Sequence, residues 1–364
     1  MRILFLVPYP TEGPSNRYRV EQYLPYLKEN GIYYKVRPFM SSKYYNICYK
    51  KSRILLKALY FLQSVWRRAS DVFNSFSYDV IFIHIEAFPL GPAFIEWFLS
   101  KIKKPIIFDF EDAVYLPREG LNNFIKCPSK FFTIVKLSKH IIVCNDYLKE
   151  FLSKYNKNIS VIPTSIDTDK FFPLVKDNSN KEKVVIGWIG SHTTVSLLLK
   201  LENVLKHLAK RHDFILKIVG ADKDIFMEGV DIINEAWTLD TELNSLKSID
   251  IGIYPLPDNE WAKAKTPFKT IQYMSVGIPV VASRVAGNKS IVQDGENGFI
   301  VNSEDEWILK LSRLIENAEL RKKIGLNGRK TVEGRYSLVR NGPVFLDILN
   351  NIYQSSSGCK YVKK

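Results

Sequence analysis

This sequence is poor in several things, and each shortage excludes a class of protein. No stretch approaches the roughly 20 uninterrupted apolar residues that a membrane-spanning helix needs. The N-terminal run MRILFLVPYP is closed by Pro8 and Pro10, too early for the core of a signal peptide, and it reads as a first buried strand. Cys48, Cys127, Cys144 and Cys359 stand far apart with no CxxC or HxxxH spacing. That argues against a zinc site and for free thiols in a reducing, cytoplasmic compartment. Tracts rich in Gly/Ser, Gln/Asn or Pro are missing, so disorder is expected only at the ends, chiefly in the tail SSSGCKYVKK. Acid is the scarce charge: 38 Asp and Glu against 52 Lys and Arg leave a net +14. Nucleic acid, an anionic membrane or a phosphorylated small molecule would each answer that excess.

What the chain has in quantity is short apolar runs of β type alternating with helical patterns. At 364 residues, and about 150 residues per domain, two domains are expected. In the first half the runs are RILFLVP (2–8), YYKVRPF (33–39), DVIFIHI (79–85), PIIFDF (105–110), HIIVCN (140–145) and ISVIPTSI (159–166). The rhythm restarts with KVVIGWIG (183–190), DFILKIVG (213–220), VDIINEAW (230–237), DIGIYPL (250–256), IPVVAS (278–283) and GFIV (298–301). Runs apolar on both faces suit central strands of parallel sheets covered by helices, so each half predicts a doubly wound α/β domain. Residues 170–183 carry a proline and small polar residues without hydrophobic period, and read as the linker. The division is therefore placed at 1–172 and 173–339, with the helical pattern at 340–356 free to cross back onto the first domain. In such sheets ligands sit at the carboxyl ends of the strands, and two facing domains make a cleft.

Two loops of the second half stand where a ligand belongs. In AKTPFKTIQYMSVGIPVVAS (264–283), Thr266 predicts the cap, Pro267 the first turn and Gly277 a left-handed stop, for a helix about eleven residues long. Phe268, Ile271 and Met274 form its core face. Lys265 and Lys269 at the helix start, with Lys263 nearby, oppose the helix dipole unless an anion arrives, and lysines beside a helix N-terminus are a way to hold phosphate. Gln272 lies on the same side as Lys269. The alternative is that these lysines are merely solvated. In GWIGSHTT (187–194), Gly190 allows close backbone approach, and Ser191, Thr193 or Thr194 supply a cap and donors. This loop is neither a P-loop nor GxGxxG.

These residues, with VIPTSIDTDKFFP, SIVQDGENGFIV (290–301), MRILFLVPYPTEGPSNRYRVEQYLPYL (1–27) and PIIFDFEDAVYL (105–116), resemble a GT-B glycosyltransferase of the family 4 type (glycosyl transferases group 1). The resemblance implies two Rossmann-like domains facing a central cleft, a nucleotide sugar (UDP- or GDP-linked) as co-substrate, transfer with retention, and neither metal nor other cofactor. On it, Lys265 and Lys269 take the diphosphate, Gly190, Ser191 and Thr194 surround the donor, and Gln272 bonds a hydroxyl. The loop matching GSHTT lacks the family's Arg and Lys, and the family's two acids are replaced by Ala264 and Gln272. In the first half, Gly13, Ser15, Arg17 and Arg19 lie in the loop that the family places near diphosphate and acceptor; an ordinary surface loop is the alternative. Glu111 stands where many relatives have a histidine, and it, Asp109 and Asp112 are the catalytic candidates. Three acids so close cannot all ionise easily unless they are solvated or paired with those arginines. His84 and Glu86 are weaker candidates, since a lone histidine is more often structural.

Residues 41–70, SSKYYNICYKKSRILLKALYFLQSVWRRAS, carry seven cations and no acid. Leu55, Leu59, Leu62 and Trp66 recur at helical spacing. With Lys50, Lys51 and Arg53 they describe either a helix lying in anionic headgroups or a domain helix with its stripe on the sheet. An acceptor that is a glycan or is lipid-linked, as in surface polysaccharide assembly, would suit a peripheral protein on the inner face of the plasma membrane. The competing readings are a non-enzymatic nucleic-acid- or membrane-binding protein, and another GT-B chemistry such as sugar-nucleotide epimerisation. No nucleic-acid motif is present, so no nucleic-acid partner is expected.

Overall fold

The computed structural model describes residues 1–48, 50, 52–116, 127, 129–173 and 183–357. Among them, every apolar run named above forms a parallel strand, trimmed by a residue or more at its ends. The first sheet holds β1 (Arg2–Val7), β2 (Tyr33–Pro38), β3 (Val80–His84), β4 (Ile106–Phe110), β5 (His140–Val143) and β6 (Ile159–Val161), in the order β2-β1-β3-β4-β5-β6. The second holds β7 (Val184–Ile189), β8 (Phe214–Val219), β9 (Asp231–Glu235), β10 (Ile251–Tyr254), β11 (Val280–Ser283) and β12 (Phe299–Val301), in the order β12-β11-β10-β7-β8-β9. Central strands such as β3 and β4 are buried along their whole length, and edge strand β2, which ends in a proline, is not. The two sheets belong to two compact units, residues 1–165 with 341–364, and residues 166–340.

Helices fill the connections. The first unit has α1 (Pro14–Arg19), α2 (Leu24–Glu29), α3 (Ser42–Cys48), α4 (Ile54–Asn74), α5 (Phe94–Lys101), α6 (Ser129–Leu137) and α7 (Asp146–Leu152). The second has α8 (Val195–Leu199), α9 (Glu202–Ala209), α10 (Glu242–Lys247), α11 (Glu260–Ala264), α12 (Phe268–Ser275), α13 (Ala286–Lys289), α14 (Glu304–Glu316) and α15 (Ala318–Arg335). The last, α16 (Leu338–Ser357), begins at the end of the second unit and continues in the first, where the Phe345 ring stacks on Tyr23 at 4.7 Å and meets Phe82 edge-on at 5.6 Å.

The boundary between units falls at Ser165 and Ile166, ahead of the linker at 170–183, most of which lies outside the described residues. Side-chain chemistry explains the difference. Ile166 bridges Ser337, and the Arg329 guanidinium donates to the carbonyls of Thr168, Phe171 and Ser275. A half-buried arginine with three carbonyl partners ties residues 168–171 to α12 and α15 before the polar stretch begins.

In each unit the strand order reverses once, beside the first strand to be laid down. The reversal lies between β1 and β3 in the first unit and between β7 and β10 in the second. These are the topological switch points, so the loops after β1, β3, β7 and β10 border the ligand crevices of their units.

For α4 the structure decides between the two orientations that the sequence leaves open. The stripe Leu55, Leu59, Leu62 and Trp66 of α4 faces solvent, with Leu55 83% and Trp66 78% exposed. The side packed on the protein is polar instead: Ser64, Arg68 and Asp71 are buried. Asp71 pairs with Arg37 at 2.9 Å and lies 3.6 Å from Arg68, whose guanidinium also donates to the Val7 carbonyl at 3.1 Å. Burial pushes the Arg68 guanidinium down to about 10, and Asp71 opposes that shift.

Candidate functional site

In the second unit, Gly277 at φ +72° ends α12 as predicted, letting the Gly277 and Ile278 N–H groups bond back to Met274 and Tyr273. The start differs by one residue: Pro267 is the cap, no side chain caps the helix, and Thr266 is buried. Ile271 and Met274 pack inward, as does Tyr273. The Tyr273 hydroxyl donates to the Gly187 carbonyl (3.1 Å) and accepts the Ile189 N–H (3.0 Å), fastening the helix to the end of β7. Burial raises that phenol well above its ordinary range. Gly252 of β10 lies against the ring, where a Cβ would come within 2.4 Å.

The lysines divide their work. Lys263 pairs with Glu260 at 2.7 Å. Lys265 holds its ammonium 4.6 Å from the centre of the Trp261 ring. Lys269 donates to the Gln272 carbonyl oxygen at 3.0 Å, and the Gln272 amide donates to Glu242 at 3.3 Å. Gln272 and Glu242 are buried while Lys265 and Lys269 are half-buried. Glu242, in the first turn of α10, was not singled out from the sequence. It lies thirty positions from Gln272, and only the sheet brings the two together.

Gly190 follows β7 and gives its N–H to the Val219 carbonyl (3.0 Å). A Cβ there would sit 2.1 Å from the Trp188 ring, so the indole already demands this glycine. Beyond it, Ser191 and Thr194 close an exposed turn on themselves: the Ser191 N–H donates to Thr194 Oγ1 (3.2 Å), and Ser191 Oγ lies 2.8 Å from Thr193 Oγ1. Thr194 is the N-cap of α8 by position, without a side-chain cap bond.

In the first unit, the loop after β1 leads to a chain of side chains that runs inward. Ser15 Oγ lies 2.7 Å from His84 Nε2, His84 Nδ1 lies 2.7 Å from Asp109 Oδ2, and the Asp109 carboxylate is gripped by both the Nε and a terminal nitrogen of Arg19. Arg19 also donates to the Ile162 carbonyl at 2.6 Å. His84, Asp109 and Arg19 are buried and Ser15 is half-buried. Burial alone would raise Asp109, but the Arg19 guanidinium and His84 outweigh it and hold the carboxyl below its usual range. An ionised carboxylate only accepts, so His84 Nδ1 carries a hydrogen, and in the neutral ring Nε2 accepts from Ser15. The pairing of an arginine with the acid cluster, expected from crowding, is thus made by Arg19 with Asp109, which keeps both inside the unit.

The remaining candidates surround this chain. Glu111 is half-buried and accepts from Thr164 at 2.9 Å. Asp112 stands at φ +67°, and Ile85, directly after His84, at φ +63°. A β-branched residue in left-handed backbone is costly, on the order of 1–3 kcal/mol, and such strain collects where function holds it. The Arg17 guanidinium lies 4.9 Å from the centre of the Tyr18 ring. Gly13 is required by packing, since a Cβ would meet Tyr9 at 2.5 Å. Glu86 pairs with Lys130 at 3.2 Å. Of the membrane candidates, Lys50, Arg53 and Trp66 are exposed, and Lys51 lies outside the described residues.

Comparison with known proteins finds relatives of this chain. Residues 183–317, which include both loops of the second unit, match the family described as Glycosyl transferases group 1. The Escherichia coli UDP-Gal:alpha-D-GlcNAc-diphosphoundecaprenol alpha-1,3-galactosyltransferase is 22% identical over 251 residues, covering 63% of this chain and 60% of that protein. Among solved structures, a glycosyltransferase from Rickettsia africae aligns with TM-score 0.70 at 17% identity, over 99% of both chains. Anabaena Alr3699/HepE, solved with UDP and glucose, aligns with TM-score 0.67 at 16% identity, over 96% of this chain and all of that one. Over the first curated relatives it matches, this chain spans 18% of their length.

Proposed function

Because residues 183–317 carry a glycosyl transferases group 1 domain within a GT-B-type fold, we propose that this chain is a retaining glycosyltransferase. It moves a sugar from a UDP- or GDP-linked donor to the hydroxyl of a glycan or lipid-linked acceptor in surface polysaccharide assembly. The family match over the lysine-bearing crevice is the observation that carries the reading. The names of the Escherichia coli relative and the UDP- and glucose-bound Anabaena protein support the donor and acceptor classes.

In this reading the glycosidic oxygen of the donor leaves with the diphosphate, and Lys265 and Lys269 at the start of α12 take up the charge that develops there. Fixed cations aimed at a leaving group are usually the largest single contribution to such chemistry. Gln272 and Glu242 act through Lys269 by holding its ammonium in place. The acceptor belongs to the first unit. Its hydroxyl proton passes to Ser15 Oγ as the Ser15 proton passes to His84 Nε2, and the resulting imidazolium is neutralised by Asp109. Glu111 stands beside this chain as a second carboxylate for acceptor hydroxyls.

The test uses the whole purified chain and a panel of UDP- and GDP-sugars. At a concentration 100 times its dissociation constant, the true donor stabilises the fold by about 2.7 kcal/mol, read as a rise in melting temperature. Slow release of free nucleotide, with water as acceptor, should accompany it. If no nucleotide sugar on the panel stabilises the protein or is hydrolysed, the reading is wrong.

A further inference from the structure

The outer face of α4 takes no part in the donor and acceptor chemistry proposed above, yet it carries a row of exposed large apolar side chains. A helix lying on a sheet normally turns its apolar stripe inward, and α4 does the reverse. Leu55, Leu59, Leu62 and Trp66 follow one another at alternating four- and three-residue steps along its solvent side, and Phe73, seven residues further on, is exposed as well. The orientation is held from within, because the polar side is fixed by Asp71 with Arg37 and by Arg68 with the Val7 carbonyl. Turning the helix over would break those pairs and strand the charges.

The surface does not stop at one helix. The Phe88 ring lies 6.2 Å from Phe61 of α4 and 5.5 Å from Phe94 of α5, joining the two helices on the same side of the sheet. From α5, Phe94, Trp97 and Phe98 are exposed in turn. Contiguous apolar surface of this kind, with two tryptophans, is uncommon on a protein that stays free in water. Along the chain from residue 41 to 104, the exposed charges among the described residues have a single sign. Between residues 41 and 104 the acids are Asp71, Asp79, Glu86 and Glu96, and none is exposed. Lys43, Lys50 and Arg53 are exposed ahead of α4, and Lys101 and Lys103 are exposed at the end of α5. The Lys101 ammonium lies 5.4 Å from the centre of the Trp97 ring.

We propose that the outer faces of α4 and α5 together dock on an anionic lipid surface. Leucine and aromatic side chains enter the headgroup region, and the cations at both ends meet the lipid phosphates. No helix among the described residues is long and apolar enough to cross a membrane, so the docking is parallel to the surface. A second copy of the chain would bring like-charged patches together, which favours lipid over self-association. The geometry adds α5 to what the sequence pointed to, and the proposal stands independently of the donor chemistry.

Flotation of the full chain with vesicles tests it, using phosphatidylcholine alone and phosphatidylcholine mixed with phosphatidylglycerol. Binding is expected only to the anionic vesicles, and it should weaken as salt rises. Leu59→Glu with Trp66→Glu, and separately Trp97→Glu, should lower partitioning about tenfold or more without changing the melting temperature, since those side chains are exposed. Lys50→Ser with Arg53→Ser should lower it by a smaller factor, and Leu309→Glu, on an exposed site of the second unit, should leave it unchanged. No flotation, equal flotation with neutral vesicles, or flotation untouched by the face substitutions overturns the proposal. So does a dimer that Trp66→Glu dissolves in the absence of vesicle binding, which would give the face to a second copy.

Discussion

Single side chains decide how charge is managed here, and two of them make sharp predictions. Lys269 holds its position through Gln272, which leans on Glu242. Lys269→Ala should slow nucleotide-sugar hydrolysis about 100-fold, some 2.7 kcal/mol of lost leaving-group stabilisation, with little change in melting temperature. Glu242→Gln should give a smaller loss, seen mainly in kcat, because that residue positions the lysine and touches no substrate. Asp109 is a stability question. Its folded carboxyl is held below the unfolded value of about 3.9, so its contribution is whole above that pH and is lost as pH falls through the depressed folded value. Asp109→Asn leaves Arg19 buried without its partner and should destabilise the protein by about 3–5 kcal/mol at neutral pH. Urea titrations should show the gap between wild type and variant closing on acidification; a gap independent of pH would disprove the assignment.

At the scale of elements, α12 is useful because it is anchored. Tyr273 ties it to β7 by two hydrogen bonds, so Tyr273→Phe strands a buried N–H and a carbonyl and should cost about 1–3 kcal/mol, measured by denaturant unfolding. Gly190→Ala places a methyl group inside the Trp188 ring contact and should cost about as much through overpacking. Loss of donor binding without loss of stability in that variant would show that Gly190 serves the ligand and not the indole. The strands and the glycine stop of α12 were legible in the sequence, because runs apolar on both faces and a Gly before a β run have one cheap structural outcome. The orientation of α4 was not, since its spacing fits either a buried or an exposed stripe and the choice rests on Arg37, Arg68 and Asp71 meeting across elements.

At the scale of the molecule, residues distant in the chain complete each unit. Phe345, near the end of the chain, stacks on Tyr23 and meets Phe82, so α16 is part of the first unit's packing. Phe345→Ala should destabilise that unit by about 3–5 kcal/mol, and limited proteolysis should then cut α16 first. The same holds for Arg329, which gathers the carbonyls of Thr168 and Phe171 into the second unit and so sets where the boundary falls.

The sequence by itself determined the α/β class, the two parallel sheets and the loops in which charge collects, because hydrophobic period and turn chemistry are local properties written residue by residue. Only the tertiary structure decided which of those charges meet. Ser15, His84, Asp109 and Arg19 are spread over ninety-odd positions, as Gln272 and Glu242 are over thirty. Hydrogen bonds between residues so far apart depend on strand order and register, which no local pattern encodes.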